Sequence, residues 1–342
     1  MNSIKDVAAA GKKVLLRSDL DVPLKNGRVA DDSRLQKALP TIEYLVEKKA
    51  KVIIIAHLDR PGGKVVGKWR LDPVAKKLSE YVKAVHKVDD CVGPKVEAAV
   101  EAMADGDVLL LENLRFHPGE EANDPEFTKG LALLGDLFVN DCFATSHRKH
   151  ASIVGVPQFL PSYAGLQLLA ETSALCSAKE SAQKPLVIIV GGAKPETKAP
   201  LVRKLSKIAD KVLLGGTLMF EKSLEGTPNV LFPIDSVGIE DIGPQTIKMF
   251  REEIATAKTV VWNGPLGVTN TKEFEVGTRK IAEALAESSA YTVVGGGDTV
   301  AAIERFGLRD KMDFVSTGGG AMLQFLADGT LPGLEVLGWK KS

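Results

Sequence analysis

A run of five apolar residues, Leu186-Val187-Ile188-Ile189-Val190, stops abruptly at Gly191-Gly192-Ala193-Lys194. Such runs are typical of strands buried on both faces of a parallel sheet. The same junction recurs downstream. Lys211–Leu214 meets Gly215-Gly216, and Thr259–Trp262 meets Asn263-Gly264-Pro265. Tyr291–Val294 meets Gly295-Gly296-Gly297-Asp298-Thr299, and Phe314-Val315 meets Ser316-Thr317-Gly318-Gly319-Gly320. In an open parallel sheet these turns gather at the carboxyl ends of the strands, where ligands bind. Glycine lets backbone approach a phosphate, and a following helix offers unpaired N–H groups. This half of the chain reads as a nucleotide cradle.

Working outward, the second half places helices near Ala199–Ala209, Gln245–Ala257, Phe274–Ser288 and Thr299–Phe306. The first half keeps the same rhythm, with strands at Val14–Arg17, Val52–Ala56, Val108–Leu111 and Leu137–Asn140. Helical patterns fall between them at Ser33–Lys49, Pro73–Val85 and Val96–Ala104, the first with Asp32 or Ser33 as N-cap. Alternation throughout predicts two doubly wound α/β domains with parallel sheets. The expected boundaries are 1–163 and 185–324, joined by a helix over 164–184 between Pro161 and Pro185.

Strand ends in the first half carry charge where those of the second carry glycine. They read Arg17-Ser18-Asp19, His57-Leu58-Asp59-Arg60, Glu112-Asn113-Leu114-Arg115, and Asp141 through Arg148 to His150. Arg34 opens the first helix. Parallel strands bring Arg34, His57, Arg60, Arg115 and Arg148 to one rim, suited to a phosphate or carboxylate ligand. Arg17, inside a strand, and His150 read as structural, and His86 and His117 as solvated loop residues.

Composition narrows the function. Forty-four basic residues balance forty-four acidic ones in a chain of 342, which argues against a nucleic-acid binder. Cys91, Cys142 and Cys176 form no CxxC, so reduced thiols and a cytoplasmic location are expected. Five histidines show no zinc-binding spacing, and no run has membrane-spanning length. Walker A and GxGxxG motifs are absent, which disfavours a P-loop enzyme or a dinucleotide dehydrogenase.

The strings VLLRSDLDVPL (14–24), DDSRL (31–35), AHLDRP (56–61), LLLENLRFHPGEE (109–121) and VNDCFATSHRKHAS (139–152) resemble those of phosphoglycerate kinases. So do GGAKPETK (191–198), VVWNGPLGV (260–268), VVGGGDT (293–299) and STGGGA (316–321). The resemblance covers nearly the whole chain. It implies a monomeric hinge-bending enzyme that moves phosphoryl reversibly between ATP/ADP and 3-phosphoglycerate/1,3-bisphosphoglycerate, with Mg2+, in glycolysis or gluconeogenesis. The tail 325–342 would return to the first domain.

By motif matching, Asp19, Asp21, Arg34, His57, Arg60, Arg115 and Arg148 would bind the triose. Arg34, Lys194 and Lys198, with N–H groups at Gly297 and Gly320, would stabilise the transferring phosphoryl. Gly191, Gly215, Gly216, Asn263, Pro265, Asn270, Gly295, Gly296, Gly297, Asp298 and Thr299 would join the two lysines at the nucleotide, and Asp298 would hold the magnesium. Gly319 falls in another of the turns expected near these groups. The acceptor carboxylate is already ionised at neutral pH, so alignment and positive charge suffice. Because that charge comes from both domains, domain closure is expected to accompany catalysis.

The chain also departs from the family pattern. Asp21 replaces asparagine, Asp59 a glycine, Thr217 a glycine, and Pro195-Glu196-Thr197 the usual Val-x-Asp. Thr269-Asn270 replace Phe-Glu, whose glutamate binds ribose in the family, while Met322 and Gln324 replace serine and glutamate. Only 217–242 separates the Gly215-Gly216 turn from DIGPQT, where the family carries a long excursion that builds much of the adenine pocket. Weakened base discrimination is the expectation. A non-catalytic or regulatory paralogue, or a phosphotransferase for another acidic acceptor, are the alternatives.

Overall fold

In the first unit, the apolar runs become strands β1 (Lys13–Ser18), β2 (Lys51–Ile55), β3 (Val85–Lys87), β4 (Val108–Leu110), β5 (Leu137–Asp141) and β6 (Ser162–Ala164). They lie in the order β3-β4-β2-β1-β5-β6, every pair parallel. Side-chain parity splits the core. Val14, Leu16, Val52 and Ile54 pack on one face, while Leu15, Ile53, Ile55 and Leu109 pack on the other. Burial on both faces is why these strands read as continuous apolar runs.

In the second unit, β7 (Leu186–Val190), β8 (Lys211–Leu214), β9 (Val230–Leu231), β10 (Thr259–Asn263), β11 (Tyr291–Gly295) and β12 (Phe314–Ser316) form a second parallel sheet. Its order, β9-β8-β7-β10-β11-β12, is that of a doubly wound dinucleotide-type fold. The order reverses between β7 and β10 here, and between β1 and β5 in the first sheet. Those crevices are where ligands are expected.

The computed structural model describes residues 1–180 and 182–340. Its two compact units are Met1–Ala170 with Thr330–Ser342, and Glu171–Gly329. Ser181, inside the expected connector, and Lys341 and Ser342, at the end of the expected tail, lie outside the described residues. The tail seats Leu331, Leu334 and Leu337 in the first unit's core, and Gly333 N–H donates to the Ser146 carbonyl at 2.8 Å. No helix among the described residues is long and apolar enough to cross a membrane.

Several local expectations change. In place of one helix over Pro73–Val85 the chain forms a helix at Asp72–Leu78 followed by the edge strand β3, so Val85 and His86 belong to a strand. The edge strand β6 and the strand start at Val230 carry too few apolar residues to stand out. The expected connector helix spans Leu166–Lys179. At the first helix, Ser33–Glu47, neither Asp32 nor Ser33 caps through its side chain. Asp31 accepts from Ser33 N–H at 2.8 Å instead, while Asp32 accepts from Gln36 and Tyr81.

Candidate active site

The rim of the first sheet is organised by a buried arginine. Arg17, 1 % exposed, donates from Nε to Ser152 Oγ (2.9 Å), from Nη1 to the Ser18 carbonyl (2.6 Å), and from Nη2 to His57 Nδ1 (3.0 Å). Glu120 anchors Ser152, accepting its hydroxyl at 2.6 Å and its N–H at 3.0 Å. A guanidinium can only donate, so His57 Nδ1 accepts and the ring proton sits on Nε2. Burial, then Arg17, Arg115 and Arg34, hold His57 well below the usual imidazole range. It is a neutral donor whose Nε2 faces Asp21 Oδ2 at 3.6 Å.

Asp21 accepts the Asp59 N–H at 2.8 Å, and Arg115 Nη1 donates to the Asp59 carbonyl at 2.9 Å. Asp59 has φ of 57°, a left-handed backbone that glycine adopts freely and Asp tolerates better than most residues. Burial raises Asp21 above the ordinary carboxylate range; the Asp59 N–H opposes that rise and Asp19 adds to it. Arg34 Nη1 donates to both oxygens of Asp19, at 3.0 and 2.9 Å, and Asp19 pushes the Arg34 guanidinium further up. Asp59 thus links Asp21 to Arg115, His57 faces Asp21, and the Asp19–Arg34 pair acts on Asp21 through charge. Arg60 and Arg148 sit on the adjoining loops with exposed side chains that have no partner among the described residues.

At the switch point of the second sheet the turns pack backbone to backbone. Gly191 N–H donates to the Asn263 carbonyl (2.9 Å), Gly192 N–H to the Pro265 carbonyl (2.6 Å) and Gly216 N–H to the Leu266 carbonyl (2.9 Å). A Cβ on Gly191 would run into the Pro265 carbonyl, and one on Gly264, at φ of 92°, into the Gly191 carbonyl. These glycines are therefore required by the turns themselves. Gly295 likewise lies against the buried Met322, and Gly215 against Leu266. Around Gly297 the space is open.

Lys194, with φ of 69°, occupies the N-cap position of helix Pro195–Leu205. Its carbonyl accepts the Thr197 hydroxyl at 3.0 Å. One turn on, Lys198 folds back to donate to the Gly191 carbonyl, so the altered Pro-Glu-Thr segment still delivers it to the glycine turns. Burial lowers Lys198 to about 8; Asp298 opposes the fall and Lys194 adds to it. Asp298 is exposed in the first turn of helix Gly297–Arg305, and no protein group bonds its carboxylate among the described residues. The N–H groups of Gly297 and Gly320 also fall in first turns, where intrahelical partners are missing.

Other expected nucleotide residues hold the turns together. Asn263 Nδ2 donates to the Gly319 carbonyl (2.8 Å), Thr299 Oγ1 accepts the Gly264 N–H (2.9 Å), and Gly296 is the N-cap of the Asp298 helix at φ of 96°. Asn270 is exposed and, among the described residues, accepts only from Thr271, at 3.2 Å. Sequence reasoning missed Glu120 and Ser152 as the supports of Arg17, and Trp262 and Thr278 as supports of the Gly264–Gly267 turn. Glu120 and Ser152 act on Arg17 from far along the chain, Thr278 acts from the helix after the turn, and Trp262 reads as an ordinary core residue of its strand.

The shortened segment 217–242 is mostly irregular, ending in a two-residue hairpin of Ser236–Val237 with Asp241–Ile242. Phe220, Ile234, Val237, Ile239, Val268 and Val276 are exposed on it or beside it.

A family model described as phosphoglycerate kinase matches residues 4–227 and 221–329, breaking at the shortened segment. A phosphoglycerate kinase of Dictyoglomus turgidum is 45 % identical over 387 aligned positions, covering 98 % of this chain and 97 % of the relative. One from Trichodesmium erythraeum is 44 % identical, covering 96 % of each. An alignment of 387 positions exceeds this chain's 342 residues, so the Dictyoglomus relative carries residues that are missing here. The solved phosphoglycerate kinase of Coxiella burnetii superposes with a TM-score of 0.83 at 36 % identity and 99 % coverage of each chain. That of Pyrococcus horikoshii gives 0.87 at 32 % identity, over 99 % of this chain and 98 % of that one. A charged rim on one doubly wound sheet and a lysine-bearing glycine cradle on the other agree with this ancestry, and the chain belongs to the phosphoglycerate kinase family.

Proposed function

We propose that this chain catalyses reversible, Mg2+-dependent phosphoryl transfer between ATP/ADP and 3-phosphoglycerate/1,3-bisphosphoglycerate. The first unit's rim takes the triose. Arg34, Arg60, Arg115 and Arg148 meet its phosphate and carboxylate, while Asp19 orients Arg34 and neutral His57 donates from Nε2. The glycine cradle of the second unit takes the nucleotide phosphates. The carrying observation is Lys198, drawn onto the Gly191 carbonyl at the β7/β10 switch point beside Lys194.

No base is needed, because the acceptor is a carboxylate. The protein's part is to align the reactants and to spread positive charge over three equatorial oxygens. Arg34, Lys194 and Lys198 supply charge, and N–H groups at Gly297 and Gly320 supply donors. Asp298 fits a magnesium ligand: an exposed carboxylate that accepts no protein hydrogen bond among the described residues, as suits an ion held by one carboxylate, waters and phosphates. When bound, the ion would neutralise phosphate charge.

The shortened 217–242 segment and the exchange of a carboxylate for Asn270 favour weak base discrimination. Phe220 and Ile239 on the shortened segment, and Val268 beside it, are exposed apolar side chains, which cannot hydrogen-bond a base edge.

Arg34→Ala and Lys198→Ala test the assignment. Each is expected to lower kcat by about 10²–10³-fold with a much smaller change in KM. Near-normal kcat in either variant contradicts the roles given to those residues.

A further inference from the structure

Outside the site described above, the first unit brings a carboxylate, a thiol and an imidazole together. Candidate ligand atoms of Asp90, Cys91 and His117 all lie within 4.8 Å of one another. The placement follows from topology. β3 and β4 pair in parallel, Val85 opposite Val108 and Lys87 opposite Leu110, so the chain leaves both strands at one edge. Asp90 and Cys91 follow β3; His117 follows the turn Leu114–Phe116 beyond β4.

Each group is held by its surroundings. His117 stacks on Phe127 with ring centroids 4.9 Å apart, directing Nε2 at Asp90 Oδ1, 2.8 Å away. Asp90 Oδ1 also accepts the Cys91 N–H at 2.7 Å. The Cys91 thiol lies behind them, fully buried, and donates to the Glu112 carbonyl at 3.0 Å. Asp90 is exposed, so one side of the cluster opens to solvent.

We propose that Asp90, Cys91 and His117 form a binding site for a divalent transition metal of borderline softness, of the zinc class. One sulfur, one imidazole nitrogen and one carboxylate oxygen suit such an ion and disfavour magnesium or calcium, which take oxygen ligands. Three protein ligands leave a fourth tetrahedral position on the open side for water. With metal–ligand bonds of about 2.0–2.3 Å, the three donors need move inward by only about an ångström.

On binding, the Cys91 proton leaves to solvent and the thiolate bonds the ion. His117 bonds through Nε2 once the ring proton that Nε2 gives to Asp90 Oδ1 in the metal-free chain has shifted to Nδ1. With His117 neutral, the one proton released per ion is that of the Cys91 thiol, and nothing is oxidised or reduced. The ion clips the loop after β3 to the turn that carries Arg115.

The test uses the metal-free full chain and Co2+ as a spectroscopic probe. The site predicts one Co2+ per chain, a thiolate-to-cobalt charge-transfer band, and displacement by Zn2+. Cys91→Ser and His117→Ala are each expected to abolish the band or weaken binding about a hundredfold or more. Cys176→Ser leaves it intact. His117→Ala, a half-exposed position, keeps the test valid if Cys91→Ser fails to fold. The proposal is overturned if no charge-transfer band forms at millimolar Co2+, or if the band persists unchanged in His117→Ala.

Discussion

Asp21 and Asp59 show how two departures from a family pattern can fit each other. The carboxylate of one accepts the backbone N–H of the other at 2.8 Å, and neutral His57 stands on the opposite side. The family pattern's glycine at position 59 is accounted for by a left-handed φ that Asp adopts here. In the proposed triose site Asp21 adds a negative charge near an anionic substrate. At an effective dielectric of about 20, like unit charges about 8 Å apart repel by about 2 kcal/mol. Asp21→Asn is therefore expected to lower KM for 3-phosphoglycerate about thirtyfold at neutral pH. Burial raises the Asp21 pKa, so the wild-type penalty grows as pH climbs out of the acid range and Asp21 ionises. The variant should flatten that rise in a KM-against-pH profile; an unchanged KM at every pH contradicts the repulsion.

Carboxylates also organise whole elements. Asp241 accepts the Ile242 N–H at 2.9 Å and the Gly277 N–H at 2.7 Å, fixing the short hairpin to helix Val276–Glu287. Asp141 does similar work at the end of β5, accepting the Leu168 N–H at 3.0 Å. Burial raises each to about 6. A folded-state pKa above the unfolded value of 3.8 means the folded chain binds more protons between those values. That stabilisation is fully present below about pH 4 and is lost as pH rises through about 6. Chemical denaturation across that window should show wild type losing about 2–3 kcal/mol relative to Asp241→Asn. A pH-independent difference contradicts it.

What was readable at this scale followed burial. β1, β2, β7 and β10 are buried on both faces and stood out as apolar runs. β3 is a three-residue edge strand with an exposed His86, and its pattern merged with the preceding helix. The charged rim and the glycine turns were legible because they lie beside those runs. The partners of Arg17, and the meeting of Cys91 with His117, were hidden because sheet order, and not sequence spacing, joins them. His117 read as a solvated loop residue; in the fold it is half-buried, stacked on Phe127 and paired with Asp90.

For the whole molecule, the family's two halves are retained unequally. The first unit keeps its charged rim and closes its core with the C-terminal leucines. The second keeps the glycine turns, Lys194, Lys198 and the exposed Asp298 but carries only a short segment between β8 and helix Pro244–Thr256. In the proposed reading phosphate recognition rests on the turns and lysines and base recognition on the wall of the base pocket, so the two are separable. The account therefore pairs retained phosphoryl transfer with reduced base selectivity. The most direct measurement is steady-state transfer to 3-phosphoglycerate from Mg-ATP, with Mg-GTP, Mg-UTP and Mg-CTP run in parallel. Turnover with ATP, and kcat/KM values for the other three within about tenfold of it, is the expected result. No turnover with any donor by the folded protein contradicts the kinase reading, and a preference for ATP of several orders of magnitude contradicts the part played by the shortened segment.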